Sequence, residues 1–171
     1  KGPAIGPVFS PDGQQIAFVG HDNRYTRNVT HLRVYLMARD GSAVRCLTES
    51  FDEGVGDEVL SDLRAGGRAF TLHWSADGET IFFSATEQGA SNVYQVSVSD
   101  GRVTRATQGT HQVFGWSYAQ TSNQIAYVCS NPANPNDIYA QEAGARNAQR
   151  VTAVNAEVMR YSYPGFALLA S

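Results

Sequence analysis

Short runs of alternating apolar and polar residues recur along this chain in one fixed order, and the order occurs three times. Each unit opens with an apolar run that ends in an aromatic residue and a serine, and a second run follows after a few polar residues. Alternation with a period of two, bounded by turn residues, predicts β-strands rather than helices. The opening runs are GPVFS at 6–10, TLHWS at 71–75 and VFGWS at 113–117, and the second runs are QIAFVG, TIFFSA and QIAYVC.

The residues between these runs are those that tight connections need. Asp12-Gly13 and Asp77-Gly78 lie between the first two runs of the first two units, and Asp-Gly tolerates the positive φ of a hairpin turn. A third run and a fourth run complete each unit, so every unit predicts a four-stranded antiparallel sheet. The third runs are LRVYLM, NVYQVSV and DIYAQ, and the fourth runs end at Thr48, Thr107 and Thr152.

The spacing of the units indicates the fold. Trp116 follows Trp74 by 42 residues, whereas Trp74 follows Phe9 by 65, so the first unit carries an insertion at 49–68. Four short strands repeated every ~40–45 residues are typical of a β-propeller blade. We predict an all-β protein, a partial β-propeller of about three four-stranded antiparallel blades. We expect the blades at approximately 5–50, 69–109 and 110–153 within a propeller arc at 1–155, and a C-terminal tail or linker at 156–171.

Two other arrangements fit parts of the pattern. A β-sandwich of about twelve strands would account for the alternation, but it needs no internal repeat. Within the insertion, GDEVLSDLRAG at 56–66 has the spacing of one short helical face. Closed propeller rings use ~4–8 blades, so three blades are either a fragment of a larger ring or associate with other copies through open strand edges. We favour the fragment.

Composition narrows the class of protein. The net charge is -3 and the basic residues do not cluster, which argues against a nucleic-acid partner. No apolar run approaches the ~20 residues that cross a bilayer, so no membrane partner is predicted. The opening KGPAIGPVFS lacks the layout of a secretory signal, and a cytoplasmic location is the expectation. Asn28-Val29-Thr30 fits the N-glycosylation pattern, which occurs often by chance.

Metal and cofactor chemistry has no support in the sequence. Cys46 and Cys129 stand in apolar strand-like runs, and we predict two buried thiols rather than a disulfide or, without a Cys-x-x-Cys, a zinc site. The four histidines are dispersed and form no H-x-x-x-H pair. We therefore predict no cofactor and no metal site. The histidines are His21, His31, His73 and His111.

Two stretches carry a family resemblance. FSPDGQQIAF at 9–18 and HWSADGETIFF at 73–83 resemble the Ser-Pro-Asp-Gly propeller repeats of the TolB protein and of serine peptidases of the prolyl oligopeptidase clan. The insertion, CLTESFDEGVGDEVLSDLR at 46–64, resembles the acylaminoacyl-peptidase-like branch of that clan, as do the stretches at 109–117 and 125–141. The resemblance covers roughly residues 5 to 155.

The resemblance implies an N-terminal propeller, commonly of seven blades, joined to a C-terminal α/β-hydrolase domain. This chain would be a non-catalytic part of the propeller, with that hydrolase domain as its partner, and it would gate and help bind short peptides that a serine peptidase hydrolyses. The nucleophile of that fold sits in a Gly-x-Ser-x-Gly elbow. Ser91 and Ser117 each have a glycine two residues before but none two residues after, so no catalytic residue is predicted in this chain.

The acidic insertion supplies the candidate site residues. ESFDEGVGDEVLSD contains six carboxylates, and carboxylates at short spacing can hold calcium, but the calcium-loop pattern is missing. A solvated acidic loop is the plain interpretation. The alternative is a loop that lines the passage between propeller and hydrolase and favours peptides with a basic or free-amine end. The candidates for a substrate passage or domain interface are Asp52, Glu53, Asp57 and His111.

Two rival functions stay open at this point. The first is a TolB-like propeller that binds another protein and has no peptidase activity. The second is a self-assembling partial propeller in which strand edges at IGPVF and QRVTA pair between copies, which would make the chain a homo-oligomer.

Overall fold

Three four-stranded antiparallel sheets make up the fold, and each sheet consists of four strands that follow one another in the chain. The computed structural model describes residues 2–21, 31–59, 70–131 and 134–159. Its sheets confirm the prediction of an all-β, partial propeller with three blades. Residues 28–30, with the glycosylation pattern, and most of the stretch with helical spacing lie outside these ranges.

Blade 1 contains β1 (Ala4–Phe9), β2 (Gln15–Gly20), β3 (Arg33–Ala38) and β4 (Arg45–Cys46). Blade 2 contains β5 (His73–Trp74), β6 (Thr80–Glu87), β7 (Ala90–Ser97) and β8 (Val103–Arg105). Blade 3 contains β9 (Gln112–Ala119), β10 (Gln124–Asn131), β11 (Asn134–Glu142) and β12 (Gln149–Arg150). A short helix, α1 (Ala156–Met159), follows. None of the helices in the described ranges is long and apolar enough to cross a membrane.

The connection between the first two strands has the same hydrogen bonds in blades 1 and 2. The Ser10 hydroxyl donates to Asp12 Oδ1 at 2.6 Å and accepts the Gln15 N–H at 2.9 Å. Gly13 has a φ of 69°. In the Asp-Gly pair it is therefore the glycine, and not the aspartate, that adopts the left-handed backbone conformation. The corresponding residues of blade 2 are Ser75, Asp77, Gly78 and Thr80.

Blade 3 departs from this pattern, and the sequence alignment of its first strand is wrong by two residues. Trp74 pairs with Ile81 in blade 2, and the residue that pairs with the corresponding Ile125 in blade 3 is Tyr118 and not Trp116. The aromatic-serine match at Trp116 ended the first strand too early, because β9 continues through Ser117 to Ala119. The turn is closed instead by the Tyr118 hydroxyl, which donates to Asn123 Oδ1 at 3.0 Å.

A threonine at the end of each blade fixes the third strand of that blade. Thr107 Oγ1 accepts the Val93 N–H at 2.9 Å and donates to Asn92 Oδ1 at 3.1 Å, while Asn92 Nδ2 donates to the Gly109 carbonyl in the chain that leaves for blade 3. In the other two blades a threonine hydroxyl likewise accepts a backbone N–H of the third strand, at 3.0 Å and 2.9 Å. Those pairs are Thr48 with Val34 in blade 1 and Thr152 with Ile138 in blade 3.

Two hydrophobic clusters lie between the blades. The cluster between blades 1 and 2 includes Phe83, Tyr94 and Trp74 of blade 2, all 5% exposed or less, and the cluster between blades 2 and 3 includes Tyr127. Cys129 is buried in the second cluster, which raises the pKa of its thiol to about 11. The expected burial is confirmed for Cys129, whereas Cys46 is only half-buried, and both are free thiols.

Candidate functional site

The first strand of blade 2, at one edge of its sheet, is assembled from two separate pieces of chain. β5 is only two residues long and pairs with the first half of β6. Beyond it, the insertion takes the same place: Val55 forms an antiparallel bridge with Ala85, and the Gly56 N–H donates to the Ser84 carbonyl at 2.7 Å. The first part of the insertion therefore continues the β5 edge of blade 2 at the end of the sheet where β6 turns into β7. We call this end the upper end, and we call the edge formed there by the insertion the wall of blade 2.

Close packing holds this part of the insertion in place. Gly56 is buried with a φ of 121°, and a Cβ on it would lie 2.9 Å from the ring of Phe70, so a side chain would not fit. The Glu58 N–H donates to Thr86 Oγ1 at 2.8 Å. Phe51 packs against the rings of blade 2, 5.3 Å from the Tyr94 ring between centroids.

Asp57 ties the insertion to the next blade. Gln112 Nε2, at the upper end of β9, the first strand of blade 3, donates to Asp57 Oδ2 at 2.7 Å and to the Val59 carbonyl at 3.3 Å. Asp57 Oδ1 also accepts the Val59 N–H at 3.1 Å. A neutral amide donor holds the carboxylate without cancelling its charge, so this part of the wall carries a fixed negative group.

The other two predicted carboxylates lie at the blade 1 side of the insertion. Asp52 is exposed and Glu53 is half-buried. The Glu53 carbonyl accepts a hydrogen bond from Arg33 Nη1 at 3.2 Å, and the same Arg33 nitrogen donates to the Thr48 carbonyl at 3.1 Å. Of the three carboxylates, only Asp57 is thus held against blade 3.

His111 stands beside Gln112 and is half-buried, with its ring centroid 5.8 Å from that of Tyr127. Among the described residues its buried Nε2 has no hydrogen-bond partner, and burial lowers the pKa of the imidazole. The His111 carbonyl accepts the Ser91 N–H at 2.9 Å, which joins blade 2 to blade 3. A neutral imidazole in this place is suited to packing and to one hydrogen bond.

The structure thus brings Asp57 and His111 to the same upper region through Gln112, which the sequence did not single out. Its only signal was a polar residue at the start of an apolar strand. His73, in β5, resembles His111: its buried Nε2 has no partner in the part of the chain that the structure describes, and its ring centroid lies 4.8 Å from that of Trp116. Within the described ranges, no three His, Cys, Asp or Glu side chains come together as a metal site would require.

Comparison with known proteins identifies the family. Residues 5–135 match the model of the acylaminoacyl-peptidase N-terminal β-propeller domain. A peptidase of Bacillus subtilis, YuxL, described as uncharacterized, is 25% identical over 134 residues, which is 78% of this chain and 20% of that protein. Dipeptidyl-peptidase 5 of Porphyromonas gingivalis is 23% identical over 164 residues, covering 90% of this chain and 20% of that protein.

A solved structure shows the same fold. The acylaminoacyl peptidase of Pyrococcus horikoshii superposes with a TM-score of 0.62 at 18% identity, covering 89% of this chain and 20% of that one. The chain therefore spans only about a fifth of the length of the relatives that it matches. The family model covers well over half of the chain and confirms the resemblance stated from the sequence. This chain belongs to the family of acylaminoacyl-peptidase N-terminal β-propeller domains.

Proposed function

We propose that this chain is a non-catalytic part of a serine peptidase propeller that gates and helps bind short peptide substrates. The observation that carries the proposal is the composite first strand of blade 2, made of β5 and the insertion. There the acidic insertion completes the wall at the upper end and is fastened to blade 3 through Asp57 and Gln112. A loop that only filled solvent-exposed space would need neither a strand bridge nor a bond to the next blade.

The proposed role is electrostatic and steric. Two unit charges 4 Å apart interact by about 1 kcal/mol in bulk water and about 4 kcal/mol at an effective dielectric constant of 20. Asp57, held against blade 3, would therefore favour a peptide with a free amine or basic end over a blocked peptide by about five-fold at the first energy and by several hundred-fold at the second. Salt weakens such attraction beyond a Debye length of about 10 Å at 0.1 M.

Two further parts of the proposal concern the surroundings of the chain. The name of the relative dipeptidyl-peptidase 5 supports short peptides as the substrate class. Family membership supports a catalytic hydrolase domain as the partner, and this chain supplies no nucleophile to the acyl-enzyme route that such a domain would follow. A cytoplasmic location is part of the proposal, and two free thiols suit a reducing compartment.

The test uses the complete polypeptide that carries this chain and a pair of peptides that differ only in a free or acetylated amino end. Asp57→Asn removes the charge and keeps one of the two side-chain acceptors that serve Gln112 and the Val59 N–H, whereas Gln112→Leu keeps the charge and removes the bond between blades. Asp100→Asn, in the β7–β8 turn at the opposite end of the same blade, is the matched control, since it removes one charge and keeps the acceptor for the Arg102 N–H.

We expect Asp57→Asn to lower the ratio of kcat/KM for free over acetylated peptide several-fold at low salt, and Asp100→Asn to leave that ratio unchanged. High salt should bring the original protein to the same ratio as Asp57→Asn. An unchanged ratio in Asp57→Asn would refute the charge-based gate. A complete polypeptide that hydrolyses neither peptide would refute the peptidase proposal and leave the TolB-like binding propeller.

A further inference from the structure

One position in the third strand of each blade binds the segment of chain that leaves the blade. It directly precedes the residue whose N–H is bonded to the blade-ending threonine, and it is occupied by Arg33, Asn92 and Asp137. Asn92 Nδ2 donates to the Gly109 carbonyl at 3.0 Å, and Asp137 Oδ1 accepts the Val154 N–H at 3.0 Å. In both blades the bonded residue is the second after the threonine. We call this position the exit anchor.

The exit anchor of blade 1 has a longer side chain and reaches further along the chain. Arg33 Nη1 donates to the Thr48 carbonyl at 3.1 Å and to the Glu53 carbonyl at 3.2 Å, and Glu53 is the fifth residue after the threonine. The insertion follows blade 1, whereas only four residues separate Thr107 from β9. A side chain with the reach of arginine thus stands in the blade whose leaving segment is long.

The two bonds of Arg33 close a loop at the start of the insertion. The Thr48 carbonyl also accepts the Phe51 N–H at 3.2 Å, and the Phe51 ring packs on blade 2, with its centroid 6.0 Å from that of Phe83. The Thr48 and Glu53 carbonyls therefore converge on one guanidinium nitrogen. Two carbonyl oxygens brought together in this way need a donor between them, and a charged donor forms bonds about twice as strong as a neutral one.

This loop leads directly to Asp57. The Val55 N–H donates to the Leu32 carbonyl at 2.9 Å, so blade 1 holds the insertion through two successive residues, Leu32 and Arg33. The next part of the insertion bonds to blade 2, and Asp57 bonds to blade 3. The short segment 53–57 thus contacts three blades in chain order, and Arg33 makes the first of these contacts.

We infer that Arg33 is the positioning residue of the acidic insertion and sets the place of Asp57 at the upper end. The guanidinium holds the backbone of the insertion and acts through Asp57 rather than on the substrate. Its effect on substrate preference rests on the proposed function, in which the charge of Asp57 favours peptides with a free amine. Its effect on how firmly the insertion is held is independent of that function and is measured separately.

A positioning role and a purely electrostatic role of Arg33 predict opposite results. Removal of a cation beside an acidic gate makes the potential there more negative, which alone would raise the preference for a free amine. Removal of the anchor instead frees the loop that leads to Asp57, so the carboxylate is no longer held in one place and the preference falls. The sign of the change in preference therefore separates the two roles.

The experiment uses the complete polypeptide that carries this chain, and circular dichroism checks that each variant is folded. Arg33→Met removes the charge and both bonds but keeps a long side chain. Arg33→Lys keeps the charge and one nitrogen, which can donate to two carbonyls. The matched control is Arg45→Met, since Arg45 is also in blade 1 and also donates to a backbone carbonyl, that of Val98, at the opposite end of blade 2 from the insertion.

Amide hydrogen exchange, measured by mass spectrometry on peptides that span Val55 and Gly56, reports how firmly the insertion is held. We expect Arg33→Met to raise the exchange rate of these amides about ten-fold or more, because two charge-assisted bonds no longer oppose local opening. Arg33→Lys should exchange more slowly than Arg33→Met. Arg45→Met should exchange at the rate of the original protein.

The ratio of kcat/KM for the free over the acetylated peptide reports the place of the charge. At low salt we expect Arg33→Met to lower this ratio about two-fold or more, Arg33→Lys to keep most of it and Arg45→Met to leave it unchanged. In the Asp57→Asn background, Arg33→Met should lower the ratio no further, because the charge that Arg33 positions is already gone.

Three results would overturn the inference. Unchanged exchange at Val55 and Gly56 in Arg33→Met would show that Arg33 does not hold the insertion. Exchange as fast in Arg33→Lys as in Arg33→Met would show that the donated bonds are not what holds it. A ratio that is unchanged or higher in Arg33→Met, where Asp57→Asn lowers it, would show that Asp57 keeps its place without Arg33.

Failure of the proposed function gives a different result. If Asp57→Asn leaves the ratio unchanged, the charge-based gate is refuted, and hydrogen exchange alone decides whether Arg33 holds the insertion.

Discussion

Replacing Thr107 with valine tests whether the threonine at the end of a blade is a structural hydrogen-bonding group or only a packed methyl. Its side chain is fully buried, and its hydroxyl both accepts the Val93 N–H and donates to Asn92 Oδ1. Valine has nearly the same shape, so no cavity forms, but both polar groups lose a partner. A buried group left unsatisfied costs about 1–3 kcal/mol, so we expect Thr107→Val to lower the free energy of unfolding by about 2–4 kcal/mol.

The other two blades supply graded comparisons. Thr48 is fully buried and accepts the Val34 N–H, so Thr48→Val should cost about 1–3 kcal/mol. Thr152 is half-buried, and its hydroxyl accepts the N–H of the exposed Ile138, which water can replace. The hydroxyl also donates to Asp137 Oδ1 at 2.9 Å, an oxygen that keeps the Val154 N–H as a donor at 3.0 Å, so Thr152→Val should cost about 1 kcal/mol. The expected order of destabilisation is Thr107, then Thr48, then Thr152.

Urea unfolding followed by tryptophan fluorescence measures these differences, at one chain concentration for all variants. Thr107→Ser is the control, since it keeps the hydroxyl and removes only a methyl, at about 0.5–1.5 kcal/mol. If Thr107→Val were no less stable than Thr107→Ser, the hydroxyl would not be the stabilising group. A larger loss for Thr152→Val than for Thr107→Val would refute the argument from burial.

Three further predictions concern charge and backbone. Hydrogen bonding from Tyr94 lowers the pKa of Glu87. The Glu87 carboxylate therefore stabilises the fold above its unfolded pKa, and this stabilisation is lost as the pH falls through its folded pKa. Below about pH 5, the urea midpoint of Glu87→Gln should depend less on pH than that of the original chain. Burial lowers the pKa of His73, so the unfolded chain takes up a proton that the folded chain excludes. The Tm should therefore fall as the pH drops below about 6.5, and His73→Gln should make that fall in Tm smaller. Gly41 and Gly101 both have positive φ, but only at Gly101 would a Cβ meet a backbone carbonyl of blade 1, at 2.7 Å, so Gly101→Ala should lower Tm more than Gly41→Ala.

The parts of the fold that depend on neighbouring residues could be predicted from the sequence. The serine, aspartate and glycine of the first turns bond to each other within five residues, so their spacing alone indicates the turn. In blade 3 the same aromatic-serine pattern gave a wrong end for the first strand, because Ser117 lies inside a strand whose length is set by pairing with β10. Local pattern cannot distinguish a strand that ends from one that continues.

The candidate site depends on contacts between distant residues, and it was therefore predicted only in part. The acidic insertion was visible as composition, but the bridge from Val55 to Ala85 joins residues 30 positions apart, and the bond from Asp57 to Gln112 spans 55. No short-range signal marks Gln112 as the partner. The roles of Asp52, Glu53, Asp57 and His111 in a substrate passage stay predictions.

The constant direction of the blade contacts has a consequence for how such a protein can change in evolution. At the contact between blades 1 and 2, and again between blades 2 and 3, the later blade contributes more of the large aromatic side chains, such as Phe83 and Tyr127. A tandem duplication of one blade in the gene would therefore replace one matched contact with two matched contacts and would create no new kind of interface. Side-chain chemistry then places no limit on the number of blades, and only the angle between neighbouring blades decides how many copies complete the circle.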